Sequence, residues 1–127
     1  MTKKIFPNED VISKMRDMLS IASDMTRLKI MLSLLDESKC TCECSSGHTH
    51  CGMCETRPCM IEKCVSEIVM DTNASQSLIS HQLKVLKDFD LVSTRRDGKK
   101  IYYSLKDGHI KELIQVVKEH IEEEKHD

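Results

Sequence analysis

Aromatic residues are scarce in this chain of 127 residues, which has no Trp, two Phe and two Tyr. Leu, Ile, Val and Met must therefore fill its core. Because aromatic residues are enriched in strands, this composition favours packed helices over a β-sandwich. The length is that of one domain, so we expect residues 1–127 to form a single unit.

Long apolar runs are also absent. The N-terminal sequence MTKKIFPNED lacks the apolar segment of a signal peptide, and no segment approaches the about 20 apolar residues of a membrane helix. We therefore expect a cytoplasmic protein with no membrane partner. Thiols stay reduced in that compartment, so clustered cysteines more often bind metal or sense redox state than crosslink a fold.

Motifs of common enzyme sites are missing too. The sequence has no phosphate-binding loop, no nucleophile elbow and no HExxH pair. We therefore do not expect an enzyme.

Charge is nearly balanced, at a net −2, but it is unevenly distributed. Residues 84–106 hold seven Lys and Arg against three Asp and Glu, whereas residues 107–127 hold three against seven. A local basic patch on an acidic protein is typical of a nucleic-acid-binding face with the other charges turned away.

Helical periodicity predicts two helices before residue 36, capped by Asn8 and Asp24. The apolar residues of the first form one stripe: Val11, Ile12, Met15, Met18, Leu19 and Ala22. Those of the second lie on two sides: Leu28, Ile30, Met31, Leu32, Leu34 and Leu35. Two apolar sides indicate a central helix.

Six of the seven cysteines lie in KCTCECSSGHTHCGMCETRPC, residues 39–59, called here the cysteine-rich segment. Its possible metal donors are Cys40, Cys42, Cys44, His48, His50, Cys51, Cys54 and Cys59. The CxxC pair can place two thiolates on one ion, and the three alternating cysteines can offer several sulfurs to a soft ion. This suffices for one Cys₄ or Cys₃His site, with Zn²⁺, Cd²⁺, Pb²⁺ or Cu⁺ as candidates. A reactive loop without metal is the alternative.

A helix-turn-helix is predicted after residue 60. Its short first helix has an apolar side: Cys64, Val65, Ile68 and Val69. Ser75 can cap the second helix, whose inward residues are Ile79, Leu83 and Leu86. Its outer face suits a DNA major groove and nearby phosphates: Gln76, Ser77, Ser80, His81, Lys84 and Lys87. A plain solvated helix face would show the same pattern.

The segment LVSTRRDGKKIYYSL favours the DNA-binding interpretation because it predicts a β-hairpin directly after the two helices. Asp-Gly at positions 97 and 98 is a two-residue turn signal. Pairing across that turn places Val92 opposite Tyr103 and Thr94 opposite Ile101. Four cations crowd the tip and can reach phosphates or a minor groove: Arg95, Arg96, Lys99 and Lys100. Such a hairpin is the wing of a winged helix.

A last helix is predicted from about residue 107 to residue 124. Its apolar stripe is narrow: Ile110, Leu113, Ile114, Val117 and Ile121. Nothing later in the sequence can cover this stripe, so it either packs on the first helix or forms a dimer seam. A two-fold dimer would place two reading heads on one duplex.

These segments resemble the ArsR/SmtB metal-sensing repressors. The resemblance is carried by SDMTRLKIMLSLL, CVSEI, ASQSLISHQLKVLKDFDLV and RRDGKKIYYSL. It implies a mainly α, winged helix-turn-helix homodimer of about five helices that leaves double-stranded operator DNA when metal binds. Met25 stands where the family usually has Pro, and Asp90 where it usually has Gly. Asp tolerates the left-handed backbone conformation better than most residues.

The resemblance implies a metal site on the last helix, where Asp107, His109, His120 and Glu123 match the family's spacing. The two histidines share a helix face but lie about 16 Å apart, too far for one ion. In an antiparallel pair of helices, the first two residues would join the last two of the partner. Such donors suit four-coordinate Zn²⁺. Two exposed histidines on a solvated helix are the alternative.

A second family position falls on CVSEI. Cys64 matches the family's thiolate and Glu67 a possible carboxylate, whereas Ser66 replaces a cysteine of the Cd/Pb-sensing branch. Many such members take further ligands from an N-terminal arm, but residues 1–39 contain no Cys or His. The cysteine-rich segment, an insertion at about 38–60 where the family has a short loop, would have to replace that arm. Otherwise Cys64 is an ordinary buried helix cysteine.

Three other hypotheses stay open. A soft ion or arsenite could act through the cysteine-rich segment and Cys64, or redox or sulfur species could oxidise these thiols in pairs. A metal buffer or chaperone with a vestigial DNA-binding fold is the third.

Overall fold

A computed structural model describes residues 6–35 and 61–124, so the cysteine-rich segment lies outside the described residues. Within these ranges the elements follow in the order α1 (Glu9–Ala22), α2 (Met25–Ser33), β1 (Lys63–Cys64), α3 (Val65–Thr72), α4 (Gln76–Asp88), β2 (Val92–Asp97), β3 (Lys100–Leu105) and α5 (Gly108–Glu124). Five helices and a hairpin confirm the predicted class, a mainly α winged helix-turn-helix.

Side-chain oxygens cap the N-termini of four of these helices. Each accepts a hydrogen bond from the backbone N–H three residues later, at 3.0 to 3.2 Å, and so satisfies an amide that has no partner within the helix. The four acceptors are Asn8, Asp24, Ser75 and Asp107. These caps confirm the starts predicted for α1, α2 and α4, and they place Asp107 directly before α5.

The core forms where α2, α3 and α4 meet the hairpin. Six of its residues are wholly inaccessible to solvent: Ile30, Met31, Ile68, Ile79, Leu83 and Leu86. Burying each such side chain stabilises the fold by about 1.5–3 kcal/mol. The central position predicted for α2 and the inward face predicted for α4 are both confirmed.

The sheet has the strand order β1-β3-β2, with both pairs antiparallel. Sequence reasoning did not predict β1, since a strand of two residues has no periodicity to detect. The strand changes the position of Cys64, which was predicted to lie within the short helix. Cys64 instead pairs with Tyr102 of β3 and is the N-cap of α3.

The predicted register of the hairpin was wrong by two residues. Val92 lies opposite Leu105 and Thr94 opposite Tyr103. The turn is formed by residues 98 and 99, and Gly98 has a φ of +63° at its first central position, as in a type II′ turn. Because the shift is two residues and not one, every side chain keeps its predicted face of the hairpin.

Asp90 precedes the wing with a φ of +59°, so it adopts the left-handed conformation that Gly would take there. Its N–H donates to the carbonyl of Lys87, and the next N–H, that of Leu91, donates to the carbonyl of Leu86. These bonds end α4 and direct the chain into β2. The replacement of Gly by Asp therefore leaves the turn intact.

Candidate DNA interface and metal centre

The outer face of α4 is a continuous polar surface. Its six predicted contact residues are all exposed: Gln76, Ser77, Ser80, His81, Lys84 and Lys87. The opposite side of α4 is anchored by core residues with no exposure. A rigid helix with amide, hydroxyl, imidazole and ammonium groups on one side can bond both base edges and phosphates.

Arg27 ties α4 to the N-terminal helices, a contact that sequence reasoning missed. Its Nε donates to the carbonyl of Ile21 at 2.7 Å, and its Nη1 donates to Oε1 of Gln82 on α4 at 2.8 Å. Its backbone N–H is bonded to the Asp24 cap. The end of α1, the start of α2 and the middle of α4 are therefore joined through one guanidinium.

Three of the four wing cations point into solvent. Arg96, Lys99 and Lys100 are exposed, and no ion pair or side-chain hydrogen bond engages them within the part of the chain that the structure describes. Cations in this state exchange condensed counterions of DNA for direct phosphate contacts.

The fourth wing cation, Arg95, is engaged within the protein. Its Nε donates to Oε2 of Glu62 at 2.7 Å, and its guanidinium carbon lies 4.9 Å from the ring centroid of Tyr102. The hydrogen bond that Arg95 donates to Glu62 is the main cause that raises the pKa of Arg95 above its ordinary value. Sequence reasoning placed Arg95 with the other three cations and did not identify its partner.

Lys63 is buried, at 1% exposure, beside the segment that sequence reasoning treated as an insertion. Its Nζ lies 2.5 Å from Oδ2 of Asp71 and 3.3 Å from Oγ of Ser33, and that hydroxyl donates to Asp71 at 2.7 Å. Ser33 ends α2, and Lys63 begins β1. One ionic cluster therefore holds the end of α2 and the start of β1 against α3.

The four candidate zinc ligands fall into two pairs, one at each end of α5. At its start, Nδ1 of His109 lies 3.8 Å from Oδ2 of Asp107, and the histidine side chain is 94% exposed. His120 and Glu123 are exposed near the other end. Within the described ranges of one chain, no three His, Cys, Asp or Glu side chains are grouped to hold an ion. A site that used both pairs would need a second copy of the helix.

Cys64 and Glu67, the other candidate ligands, lie together at the start of α3. The thiol sulfur is 3.3 Å from Oε1 of Glu67, which also accepts the backbone N–H of Cys64, and 3.1 Å from Oγ of Ser66. Cys64 is partly exposed and not a buried helix cysteine. The remaining candidates lie outside the described residues: Cys40, Cys42, Cys44, His48, His50, Cys51, Cys54 and Cys59.

A short helix, a tight turn, a second helix with an exposed polar face and a basic hairpin define the winged helix-turn-helix class of DNA-binding proteins. A homodimeric winged helix-turn-helix DNA-binding domain from Mycobacterium bovis, a possible ArsR-family transcriptional regulator, has the same fold. It aligns with a TM-score of 0.67 at 18% identity, over 95% of this chain and 93% of that one.

Sequence comparison identifies the family. The family described as "Bacterial regulatory protein, arsR family" matches residues 61–94. The arsenical resistance operon repressor of Staphylococcus aureus is 33% identical over 97 residues, which cover 76% of this chain and 70% of that protein. A transcriptional repressor SmtB homolog of Synechocystis sp. is 28% identical over 114 residues, covering 90% of this chain and 68% of that protein.

The chain therefore belongs to the arsR family of bacterial regulatory proteins, which are DNA-binding transcriptional regulators and not enzymes. Among the helices that the structure describes, none is long and apolar enough to cross a bilayer.

Proposed function

We propose that this protein is a homodimeric repressor that binds operator DNA through α4 and the wing and releases it when Zn²⁺ binds between the two α5 helices. The observation that carries the metal part is the arrangement of donors on α5. Asp107 and His109 lie at its start, and His120 and Glu123 lie near its end, all exposed.

Uncovered apolar faces support the dimer. α1 buries none of its residues, and four of its apolar side chains are 36% to 54% exposed: Val11, Ile12, Met15 and Leu19. α5 buries Ile110 and Ile114 but leaves four others 40% to 54% exposed: Leu113, Val116, Val117 and Ile121. Contiguous apolar surface of this kind marks an interface, and a second copy of the chain would cover it.

The donor chemistry supports Zn²⁺. Two imidazoles and two carboxylates are ligands that Zn²⁺ accepts in a tetrahedral site. His109 and His120 are about 16 Å apart along one helix, so only an antiparallel partner brings one of each to the same ion. Two equivalent sites per dimer result. The bound ion would supply positive charge that links the two protomers.

Release of DNA requires that the metal-bound dimer geometry differ from the DNA-binding geometry. The ion must bind the DNA-free state more tightly, and the coupling is reciprocal, so DNA must weaken metal binding by the same factor. A coupling free energy of about 1–3 kcal/mol, or about 5- to 150-fold in affinity, is typical of such regulation.

A second candidate keeps the repressor but places the sensor at the thiols, where a soft ion or arsenite would act. Cys64 favours it. This residue is partly exposed and belongs to a strand of the wing sheet, and its sulfur lies beside Glu67. The arsenical resistance repressor of Staphylococcus aureus is a relative whose name ties it to arsenic. The thiols of the cysteine-rich segment would complete this site.

One titration separates the two candidates. Fluorescence anisotropy would follow an operator duplex, selected from random sequence by the metal-free protein, during addition of Zn²⁺, Cd²⁺ or arsenite. We expect Zn²⁺ to release DNA from the wild type and not from His109→Ala/His120→Ala. Glu119→Gln, which neutralises an exposed carboxylate on the same helix, is the matched control and should respond as the wild type does.

Two other outcomes would contradict the zinc proposal. If the double variant loses DNA at the same Zn²⁺ concentration as the wild type, the α5 site is not the sensor. If deletion of residues 40–59 or Cys64→Ser abolishes release while the double variant responds normally, the thiol site is the sensor. Absence of any sequence-preferring DNA binding would argue against a repressor altogether.

A further inference from the structure

The outer face of the wing sheet carries a row of three side chains, one from each strand. Cys64, Tyr102 and Arg95 lie directly opposite one another on β1, β3 and β2, so all three project from the same face. Glu62, which immediately precedes β1, reaches across this face to Nε of Arg95 at 2.7 Å. The guanidinium is thereby held over the ring of Tyr102.

The backbone on either side of Glu62 is anchored. Ile61 is 2% exposed and Lys63 is 1% exposed, so both neighbours are fixed in the core, while the side chain of Glu62 is 27% exposed beside Arg95. An exposed ion pair is usually weak because two flexible side chains must be ordered to form it. Here one partner starts from a fixed backbone and the other rests on an aromatic ring, which lowers that entropic cost.

A carboxylate and a phosphate compete for the same guanidinium donors. Arginine binds both through charge-assisted hydrogen bonds, often with two parallel N–H donors. While Glu62 accepts from Nε, it uses one donor of Arg95 and compensates its charge. A phosphate bound to the remaining donors would also lie within the ~8 Å screening length of physiological salt from the carboxylate, so the two anions would repel each other.

We propose that Glu62 is an internal competitor of DNA phosphate for Arg95, and that this contact holds the wing below its full DNA affinity. The proposal rests on DNA contact by the wing, which is part of the proposed function. It divides the four wing cations into two groups. Arg96, Lys99 and Lys100 are available in the DNA-free protein, whereas Arg95 must leave Glu62 before it can bind phosphate.

The test compares DNA affinity and its salt dependence in the full-length protein. Glu62→Gln weakens the acceptor and removes its charge, and Glu62→Ala removes the contact. We expect both variants to bind a random-sequence duplex about two- to fivefold more tightly for each wing engaged. Since one more cation then contacts phosphate, the slope of log K against log salt should steepen by about 0.9 per wing. Glu112→Gln, an equal charge change on α5, should do neither.

A double-variant comparison identifies Arg95 as the group released. In an Arg95→Ala background, Glu62→Gln should no longer change affinity or slope, because the cation it frees is absent. If Glu62→Gln increases DNA affinity equally in that background, the effect is general charge repulsion between Glu62 and DNA, and the proposal is overturned. Weaker binding by Glu62→Ala would overturn it as well, since Glu62 would then position Arg95 for DNA.

These results separate the competitor from the proposed function. If neither the wild type nor Arg95→Ala binds DNA in a salt-dependent way, the wing does not bind DNA, and both the proposed function and the competition by Glu62 are wrong. If the wild type binds and all Glu62 variants match it, only the competitor is wrong. Circular dichroism of each variant would verify that the fold is retained.

Discussion

At the scale of single residues, Lys63 shows how strongly context determines burial. Lysine is among the residues least often buried, and it is tolerated in a core only when its charge is paired. Asp71 and Ser33 provide that pairing. Asp71 itself is 31% exposed on its side chain and reaches solvent. The buried Lys63 ammonium therefore needs the carboxylate more than the carboxylate needs the ammonium.

This inequality predicts an asymmetric cost of substitution. Asp71→Ala leaves the Lys63 ammonium buried without this carboxylate and should lower the free energy of unfolding by about 3 kcal/mol. Lys63→Met replaces the charge with an apolar chain of similar length and leaves Asp71 open to water. It should therefore lower the free energy of unfolding by only about 1 kcal/mol. Urea denaturation of the two variants measures both values, and a greater loss for Lys63→Met would contradict this account.

At the scale of secondary-structure elements, the hydrogen bond from Arg27 to Gln82 joins α2 to the middle of α4. Core residues hold α4 against the body, but apolar contacts are not directional and leave its rotation less well defined. A hydrogen bond from a charged donor at 2.8 Å fixes one point on its flank. Arg27 is therefore expected to position α4 without touching DNA.

Arg27→Ala should weaken binding to operator and random duplexes alike, because it alters the position of α4 and removes no base contact. Loss of a hydrogen bond to a charged group should also lower the free energy of unfolding by about 1.5–3 kcal/mol. Arg16→Ala is the matched control, since Arg16 is exposed on α1 and, within residues 6–35 and 61–124, pairs only with neighbouring side chains of that helix. Anisotropy and urea denaturation would check both expectations. If a folded Arg27→Ala protein binds DNA with unchanged affinity, Arg27 does not position α4.

Elements that local patterns specify were predicted well from the sequence. Asn8, Asp24 and Ser75 are caps because a side-chain oxygen can satisfy an amide three residues later, which is a local property. The register of the hairpin was wrong because Asp-Gly is compatible with two turn positions, and Gly98 took the first central position where the prediction gave it the second. Contacts such as Arg27 with Gln82 span 55 residues and leave no periodic signal.

At the scale of the whole molecule, the two pairs of donors on α5 and the apolar faces of α1 and α5 have a common explanation. The sequence predicted the stripe on α5 but left open whether it packs on α1 or on a second copy. The end of the α1 stripe, at Met18 and Ala22, packs against the core. The rest of the stripe stays exposed, at Val11, Ile12, Met15 and Leu19, so this part of α1 is also left to a partner. A dimer that covers both faces would bring the α5 helices of two protomers together and could complete the proposed metal site.

Met15 provides the test of this arrangement, since it lies within the apolar stripe of α1 and is 53% exposed. Met15→Glu would place a charge in the seam and should convert the dimer to monomers. Because a monomer binds with one reading head and loses the gain from two linked sites, operator affinity should fall by about 100-fold or more. Ser13→Glu adds the same charge on the opposite side of α1 and should leave both properties unchanged. Sedimentation equilibrium and anisotropy measure the two effects, and a dimeric Met15→Glu protein with normal affinity would show that α1 lies outside the interface.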